Sequence, residues 1–261
     1  MENVIVVKIG GVALGSNDTT VEDIVALQRQ GKLLVVVHGG GKQVTEWLAR
    51  LGISTKFVRG KRVTDKATLE VATAILAGLA NKEIVAAINN LGGKAVGMSG
   101  VDGALIQTRI ENKELGYVGE VVKVEGGPLE ALLQAGYIPV VSPIGLYAVD
   151  RPEEAPQMLN VNGDTVAGEI ASAIGAERLI FLTDVEGICD QSGKCIPQLT
   201  SSEAEALKAS EVVSGGMIPK IEAGLKALAA GARTRIIDGR EPHALRREVE
   251  GEGGGTTITK N

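Results

Sequence analysis

The chain's 261 residues are 44% apolar and 23% charged, which excludes a disordered or fibrous protein and fits one compact α/β unit, two-lobed at most. Glycine occurs 35 times while aromatic residues make up only 2%, so the glycine excess serves tight strand-to-helix turns rather than linkers. A net charge of −5 argues against nucleic acid or a membrane surface as partner and leaves room for a small anionic ligand at a local basic site.

In chain order, short runs rich in Val and Ile at residues 4–7, 33–37, 95–98, 138–142, 179–182 and 234–237 alternate with stretches of helical period. The latter fall at 42–51, 66–90, 129–134, 165–174, 201–211 and 218–230. Such alternation marks parallel strands joined by crossover helices, so the expected fold is a three-layer α/β/α sandwich with a mainly parallel central sheet. The runs 4–7 and 33–37 hold no polar position, which reads as strands buried on both faces. Segment 116–125, with Val118, Val121 and Val122 among charges, reads as an irregular hairpin placed to cover a substrate. A helix ending at Gly175 and followed by a new strand marks a soft boundary between an N-terminal lobe, 1–175, and a C-terminal lobe, 176–261, that share one sheet.

Glu2 and the short apolar run before Lys8 do not make a signal peptide, and no unbroken run reaches the roughly 18 apolar residues of a membrane span. A cytoplasmic location is expected. In that reducing compartment Cys189 and Cys195, which flank a turn-like segment, are expected to remain thiols, although a hairpin disulfide between them is conceivable. With His38 and His243 far apart, a Cys/His zinc site lacks ligands and no structural metal is expected.

Ligands of open parallel sheets sit beyond the carboxyl ends of the strands, and several of those ends are unusual here. Lys8-Ile9-Gly10-Gly11 puts a cation and two side-chain-free residues at a strand end, which suits a phosphate, or equally a solvated lysine before an ordinary turn. His38-Gly39-Gly40-Gly41 leads into a helix near Lys42, where an anion would meet a positive helix N-terminus; a structural glycine turn is the alternative, with His38 packed in the loop rather than acting as a base. Arg62, in a segment that Thr64 or Asp65 could cap, could grip a carboxylate through two parallel hydrogen bonds or simply lie on the surface. Asn160, Asn162 and Asp164 stand just before a helix, with more amides than one cap requires. Asp184 follows another buried strand, and Gly216-Met217-Ile218-Pro219-Lys220 places a second lysine near a helix start. Neither G-x-x-x-x-G-K-[ST] nor a strand-led G-x-G-x-x-G occurs, which disfavours a P-loop enzyme and a nicotinamide-dependent oxidoreductase. Gly97-Met98-Ser99-Gly100-Val101 breaks the G-x-S-x-G pattern of serine hydrolases at its last position.

Taken in order, Lys8-Ile-Gly-Gly, His38-Gly-Gly-Gly, Arg62-Val-Thr-Asp, Asn160-Val-Asn-Gly-Asp and Gly216-Met-Ile-Pro-Lys220 resemble the acetylglutamate kinases of the amino acid kinase family. Ala80-Asn81-Lys82, Gly119-Glu120-Val121 and the stretch from Leu182 to Gly187 extend the resemblance over essentially the whole chain. It implies an amino acid kinase-like fold and ATP-dependent phosphorylation of the side-chain carboxylate of N-acetyl-L-glutamate, a step towards arginine. Magnesium would accompany the nucleotide through phosphates and water, with no protein ligands. By the same resemblance Lys8 and Lys220 stabilise the transferring phosphoryl group and Asp164 organises them. Gly40, Gly41, Arg62, Asn160 and Asn162 hold the acetylglutamate, and Gly10, Gly11, Asp184, Gly216 and Met217 belong to the nucleotide site. Arginine-inhibited members carry an extra N-terminal helix, whereas here the first strand begins near residue 3, so a plain homodimer is expected. Stretches 236–245 and 254–256 nevertheless resemble the arginine site of those members. The rival readings are a kinase for carrier-protein-linked aminoadipate and a non-catalytic amino acid sensor on the same fold; retention of both lysines argues against the sensor.

Overall fold

The computed structural model describes residues 3–10, 19–58, 61–210, 213 and 215–261. The chain opens with β1 (Val4–Ile9), α1 (Thr20–Arg29), β2 (Leu33–His38) and α2 (Gly41–Arg50). A short hairpin of β3 (Phe57–Val58) and β4 (Lys61–Arg62) leads to α3 (Lys66–Thr73), a π-helical stretch (Ala74–Ala80) and α4 (Asn81–Asn90). Next come β5 (Ala95–Gly100), β6 (Ile106–Ile110), β7 (Gly119–Val124), α5 (Gly127–Gln134), β8 (Ile138–Tyr147), β9 (Met158–Asn160) and α6 (Gly163–Ala173). The last third holds β10 (Arg178–Thr183), β11 (Gln198–Thr200), α7 (Ser201–Ala209), α8 (Met217–Ala229), β12 (Arg233–Asp238), α9 (Ala244–Glu250) and β13 (Thr256–Thr259).

Eleven strands make one sheet in the order β11-β13-β12-β10-β1-β2-β8-β6-β7, with β5 and β9 also paired to β8. The pairs β12–β13, β6–β7 and β8–β9 are antiparallel, and the other strand neighbours are parallel. Because successive side chains alternate across a strand, the two faces of β1 and β2 feed two separate cores. Val4, Val6, Val35 and Val37 pack with Val166 and Ile170 of α6 and Ile221 and Ala227 of α8. Ile5, Val7, Leu34 and Val36 pack with Ile24 and Leu27 of α1, Ile84 and Ile88 of α4, and Leu245 of α9. Helices therefore cover both faces, as expected of three layers, and β1 and β2 lack an alternating polar pattern for that reason.

The same parity aims the side chains at the two strand ends. Lys8 continues the face of Val4 and Val6 towards α6, and His38 continues the face of Leu34 and Val36 towards α4. At the expected seam near residue 175, α6 ends at Ala173 and β10 pairs directly with β1, so one sheet runs through it. Segment 116–125 contains β7, paired antiparallel with β6 with one register shift, so it is one arm of an irregular hairpin, as expected, and Val118 just before β7 lines a cleft. Cys189 and Cys195 stand opposite each other in an antiparallel bridge, both as free thiols.

The expected helix 66–90 is continuous, with its middle widened into the π stretch. Among the described residues it alone has the length and mean hydropathy, 1.6, for a membrane span. Counting unbroken apolar runs misses this because Asn81, Lys82 and Glu83 interrupt the sequence. Leu69, Ile75, Leu76, Ile84 and Ile88 are buried against the protein.

Helices α6 and α8 pack directly on one another, and Gly168 permits the approach: a Cβ there would lie 2.7 Å from the Cα and carbonyl oxygen of Ala223. Since backbone cannot yield as a flexible side chain does, Gly168→Ala is expected to push α8 outward and lower stability by about 1–3 kcal/mol, measured by urea unfolding. An unchanged midpoint would show that the helices slide at no cost.

Candidate active site

Three segments from distant parts of the chain meet beyond the carboxyl ends of β1 and β2. Asp164, in the first turn of α6, puts Oδ1 2.6 Å from Lys8 Nζ and Oδ2 3.1 Å from Lys220 Nζ. The three side chains are only 7–15% exposed. Asn162 caps α6, its Oδ1 accepting from the backbone N–H groups of Asp164 at 2.8 Å and Thr165 at 3.1 Å, which fixes the turn that carries the carboxylate. Lys220 also donates to the Gly216 carbonyl at 3.1 Å, bending back over the start of its own helix. Gly163 lets α6 settle on the strand ends, since a Cβ there would come within 3.3 Å of the His38 carbonyl and 3.5 Å of Lys8 Cε.

Two ammonium groups on one carboxylate leave a surplus positive charge beside the N-termini of α6 and α8, whose dipoles add to it. Burial pushes Lys8 down from its usual range and the Lys220 charge pushes the same way, while Asp164 opposes them. The group is thus built to receive an anion.

Beside it lies a cleft of about 200 Å³ lined by Gly39, Gly40, Gly41, Arg62, Asn160 and Asn162, with apolar walls from Val44, Leu76 and Val161. Of the three consecutive glycines, Gly40 is the one whose conformation demands glycine: its φ is 152°, and a Cβ would stand 2.6 Å from Leu76 Cδ2. Arg62 enters from β4. Its Nη2 donates to the Gly41 carbonyl at 2.9 Å and to Thr45 Oγ1 at 2.6 Å, and the guanidinium lies 4.8 Å over the Phe57 ring. Its Nη1 is buried without a partner, a donor awaiting an acceptor. Asn160 Nδ2 donates to Thr64 Oγ1 at 3.2 Å, and Asp65 caps α3 by accepting from the Thr68 N–H at 2.8 Å.

The structure thus gathers Lys8, Asp164 and Lys220 by direct contact and Gly40, Gly41, Arg62, Asn160 and Asn162 around one cleft. Gly216 and Met217 begin α8 beside Lys220, and Gly10 follows β1, where a Cβ would lie 3.4 Å from the Leu182 carbonyl. Asp184 stands apart, exposed after β10, its charge felt by Arg240. Gly11 lies outside the described residues. Among the described residues no three His, Cys, Asp or Glu side chains cluster to hold a metal. Thr45, Phe57 and Lys61 are site residues that the sequence does not single out; only Thr45, one helical turn after Gly41, carries a positional hint.

His38 packs rather than exposes its ring, being 1% exposed. Burial pushes it down to about 4 from its ordinary 6.5, with the Lys8 and Lys82 charges acting in the same direction and a hydrogen bond to Gly39 opposing. Above pH 6.5 it is neutral in both folded and unfolded chains. As pH falls from 6.5 towards 4 the unfolded chain takes up a proton that the folded chain refuses, so stability falls. Wild type should lose about 2 kcal/mol more than His38→Asn between pH 8 and pH 5, as read from denaturant unfolding; parallel curves would show that His38 titrates normally.

The model of the amino acid kinase family matches residues 3–238. An acetylglutamate kinase of Dehalococcoides mccartyi is 49% identical over 98% of this chain and 94% of its own. One from Cereibacter sphaeroides is 48% identical over 98% of this chain and 87% of its own. Among solved structures, N-acetylglutamate synthase from Neisseria gonorrhoeae with coenzyme A and N-acetyl-glutamate superposes with a TM-score of 0.84. It is 26% identical and covers 99% of this chain and 60% of that one. Carbamate kinase from Giardia lamblia, at 17% identity, shares the fold with a TM-score of 0.72 over 99% of both chains. With its ordered motifs, its paired lysines on one aspartate and these relatives, the chain belongs to the amino acid kinase family, in the branch of the acetylglutamate kinases.

Proposed function

We propose that the chain transfers the γ-phosphoryl group of ATP to the side-chain carboxylate of N-acetyl-L-glutamate, giving ADP and the acyl phosphate N-acetyl-L-glutamyl 5-phosphate in arginine biosynthesis. The observation that carries this is the buried Lys8–Asp164–Lys220 group beside a cleft that holds an unpartnered guanidinium nitrogen of Arg62. One part is suited to a phosphoryl group and the other to a carboxylate.

Arg62 binds the α-carboxylate of the substrate through Nη1, its Nη2 being committed to Gly41 and Thr45. Asn160 and Asn162 orient the rest of the amino acid, and Gly40 and Gly10 offer backbone N–H groups to the reacting carboxylate and the phosphates. No general base is required, because the nucleophile is ionised at neutral pH. Lys8 and Lys220 stabilise the charge on the oxygens of the phosphoryl group in flight. Asp164 holds the two ammonium groups side by side against their repulsion, so they do not have to be gathered during the reaction. When bound with the nucleotide, Mg2+ supplies further neutralisation of phosphate charge, held through phosphates and water. Gly216, Met217 and Lys220 at the start of α8 lie on the nucleotide side, as does Asp184. In this reading residues 1–175 bind acetylglutamate and carry the dimer contact, and residues 176–261 bind ATP. A cytoplasmic homodimer is part of the same proposal, the dimer contact being supported by the outward Leu79 within helix 66–90 and Leu91 at its C-cap, 39% and 45% exposed.

ATP-dependent hydroxamate formation with N-acetyl-L-glutamate is the direct test, run beside unacetylated glutamate and carrier-linked aminoadipate. Activity with N-acetyl-L-glutamate alone is expected. Activity with the carrier-linked substrate only moves the chain to lysine biosynthesis, and silence on all three points to a sensor. Lys8→Ala and Lys220→Ala should each fold and lose on the order of 10²-fold or more in turnover; near wild-type turnover in both would remove their assigned roles. Arg62→Lys should raise KM for acetylglutamate by about tenfold or more with a smaller change in kcat, because a lysine cannot replace the planar fork. An unchanged KM would take the α-carboxylate away from Arg62.

A further inference from the structure

A buried polar chain behind the glycine loop is not used by the chemistry above. Asn81 is fully buried at the start of α4. Its Nδ2 lies 2.9 Å from the Val140 carbonyl, 3.4 Å from the Met98 carbonyl and 3.1 Å from His38 Nε2. Its Oδ1 accepts from Lys82 Nζ at 3.0 Å, and Lys82 also donates to the Gly97 carbonyl at 3.2 Å. These partners admit one orientation of the amide. Carbonyls accept only and an ammonium donates only, so the nitrogen faces Val140 and His38 while the oxygen faces Lys82. The nearby backbone is shaped to admit this group: a Cβ at Gly97 would fall on Asn81 Oδ1 and within 2.6 Å of Lys82 Nζ.

With an N–H donated to it, His38 Nε2 must present its lone pair, and the ring proton then sits on Nδ1. That nitrogen is 2.7 Å from the Gly39 carbonyl oxygen, an acceptor, so the two contacts agree on one tautomer. Protonating the ring would set two donors against each other at Nε2. Among the described residues there is no cis peptide bond, so the Gly39–Gly40 peptide points its N–H opposite to the carbonyl that His38 holds. Gly40 lines the substrate cleft.

We propose that Asn81 and His38 are positioning residues: Asn81 selects the Nδ1–H form of His38, which pins the Gly39 carbonyl and so aims the Gly40 N–H at the reacting carboxylate. The inference rests on the proposed phosphoryl transfer for its effect on rate and is independent of it for the tautomer. The peptides on either side are held by the Gly39 N–H to the Ile9 carbonyl and by the Val44 N–H to the Gly40 carbonyl, both at 3.0 Å, so without the ring bond the Gly39–Gly40 peptide between them can rotate while the lysine group stays in place.

Two substitutions separate the ring nitrogens. His38→Asn places an amide N–H where Nδ1 stands, and His38→Gln places its amide at Nε2. The Asn variant is expected to keep kcat within about threefold of wild type. The Gln variant is expected to lose on the order of tenfold or more in kcat with KM for ATP nearly unchanged. Equal kcat values for the two variants, high or low, overturn the proposal. Tautomer and rate are read separately by 15N NMR of histidine-labelled wild type, with the His38→Asn spectrum assigning the signals. A protonated Nδ1 and unprotonated Nε2 at pH 7 are expected. An Nε2–H or averaged ring overturns the proposal even if the variants misfold, and an inactive wild type with the expected ring spectrum counts against the proposed function alone.

Discussion

The site depends on one carboxylate held between two ammonium groups. Asp164 meets Lys8 and Lys220 at 2.6 and 3.1 Å in a nearly dry setting, where removing three charges from water is costly and the attraction offsets only part of that cost. Two positive charges cannot be neutralised by one negative charge, and the N-termini of α6 and α8 add to the surplus. The three side chains by themselves are therefore electrostatically incomplete, and an anion placed beside the lysines completes them. In the proposed transfer, a transition state that spreads negative charge over phosphoryl oxygens gains most from a field already in position, and the cost of assembling the lysines would be met in folding rather than at each turnover.

That requirement governs the architecture around it. Lys8 must face α6, which the alternation of β1 secures; Asp164 must sit in the first turn of α6, which the Asn162 cap secures. Lys220 must reach across from α8, which the contact of Gly168 with Ala223 allows. On the opposite face of the sheet, His38 is kept neutral by the same kind of burial. An imidazolium there would place a third cation close to the lysines and break its own bond to Asn81. Two neighbouring strand ends thus present opposite chemistry, a charged lysine on one face and an uncharged histidine on the other, because parity sends them to different cores.

The sequence makes the central fold legible because strands such as β1 and β2 are buried on both faces, and no polar residue interrupts them until Lys8 and His38. It hides the periphery. Strands β9, β11 and β13 are three or four residues long with polar members such as Gln198 and Thr257, too short for a period to emerge, and α9 is a seven-residue helix rich in charge. Helix α1 does carry Val21, Ile24 and Val25 at helical spacing, but it follows a polar stretch without a side-chain cap to mark its start. At the site, the glycine turns and lysines can be read locally as an anion-binding pattern. Their convergence on Asp164 cannot, since it is a long-range consequence of the sheet order β10-β1-β2 and enters the sequence reading only through family resemblance. The stacking of Arg62 on Phe57 has no local signature either, because a ring contact leaves no spacing rule.

The high glycine content acquires a specific meaning from these contacts. At Gly163, Gly168 and Gly97 the missing Cβ is replaced by another part of the protein: the His38 carbonyl and Lys8, the backbone of Ala223, and the Asn81 amide with Lys82. Each absence lets a backbone or a charged group approach more closely than an alanine would permit. Together they draw α6 onto the ends of β1 and β2, α8 onto α6, and α4 onto β5. A protein that must crowd two lysines, an aspartate and a neutral histidine into one end of a sheet needs small residues at the helix contacts more than large ones in the core. The 35 glycines and the 2% of aromatic residues are two sides of that requirement.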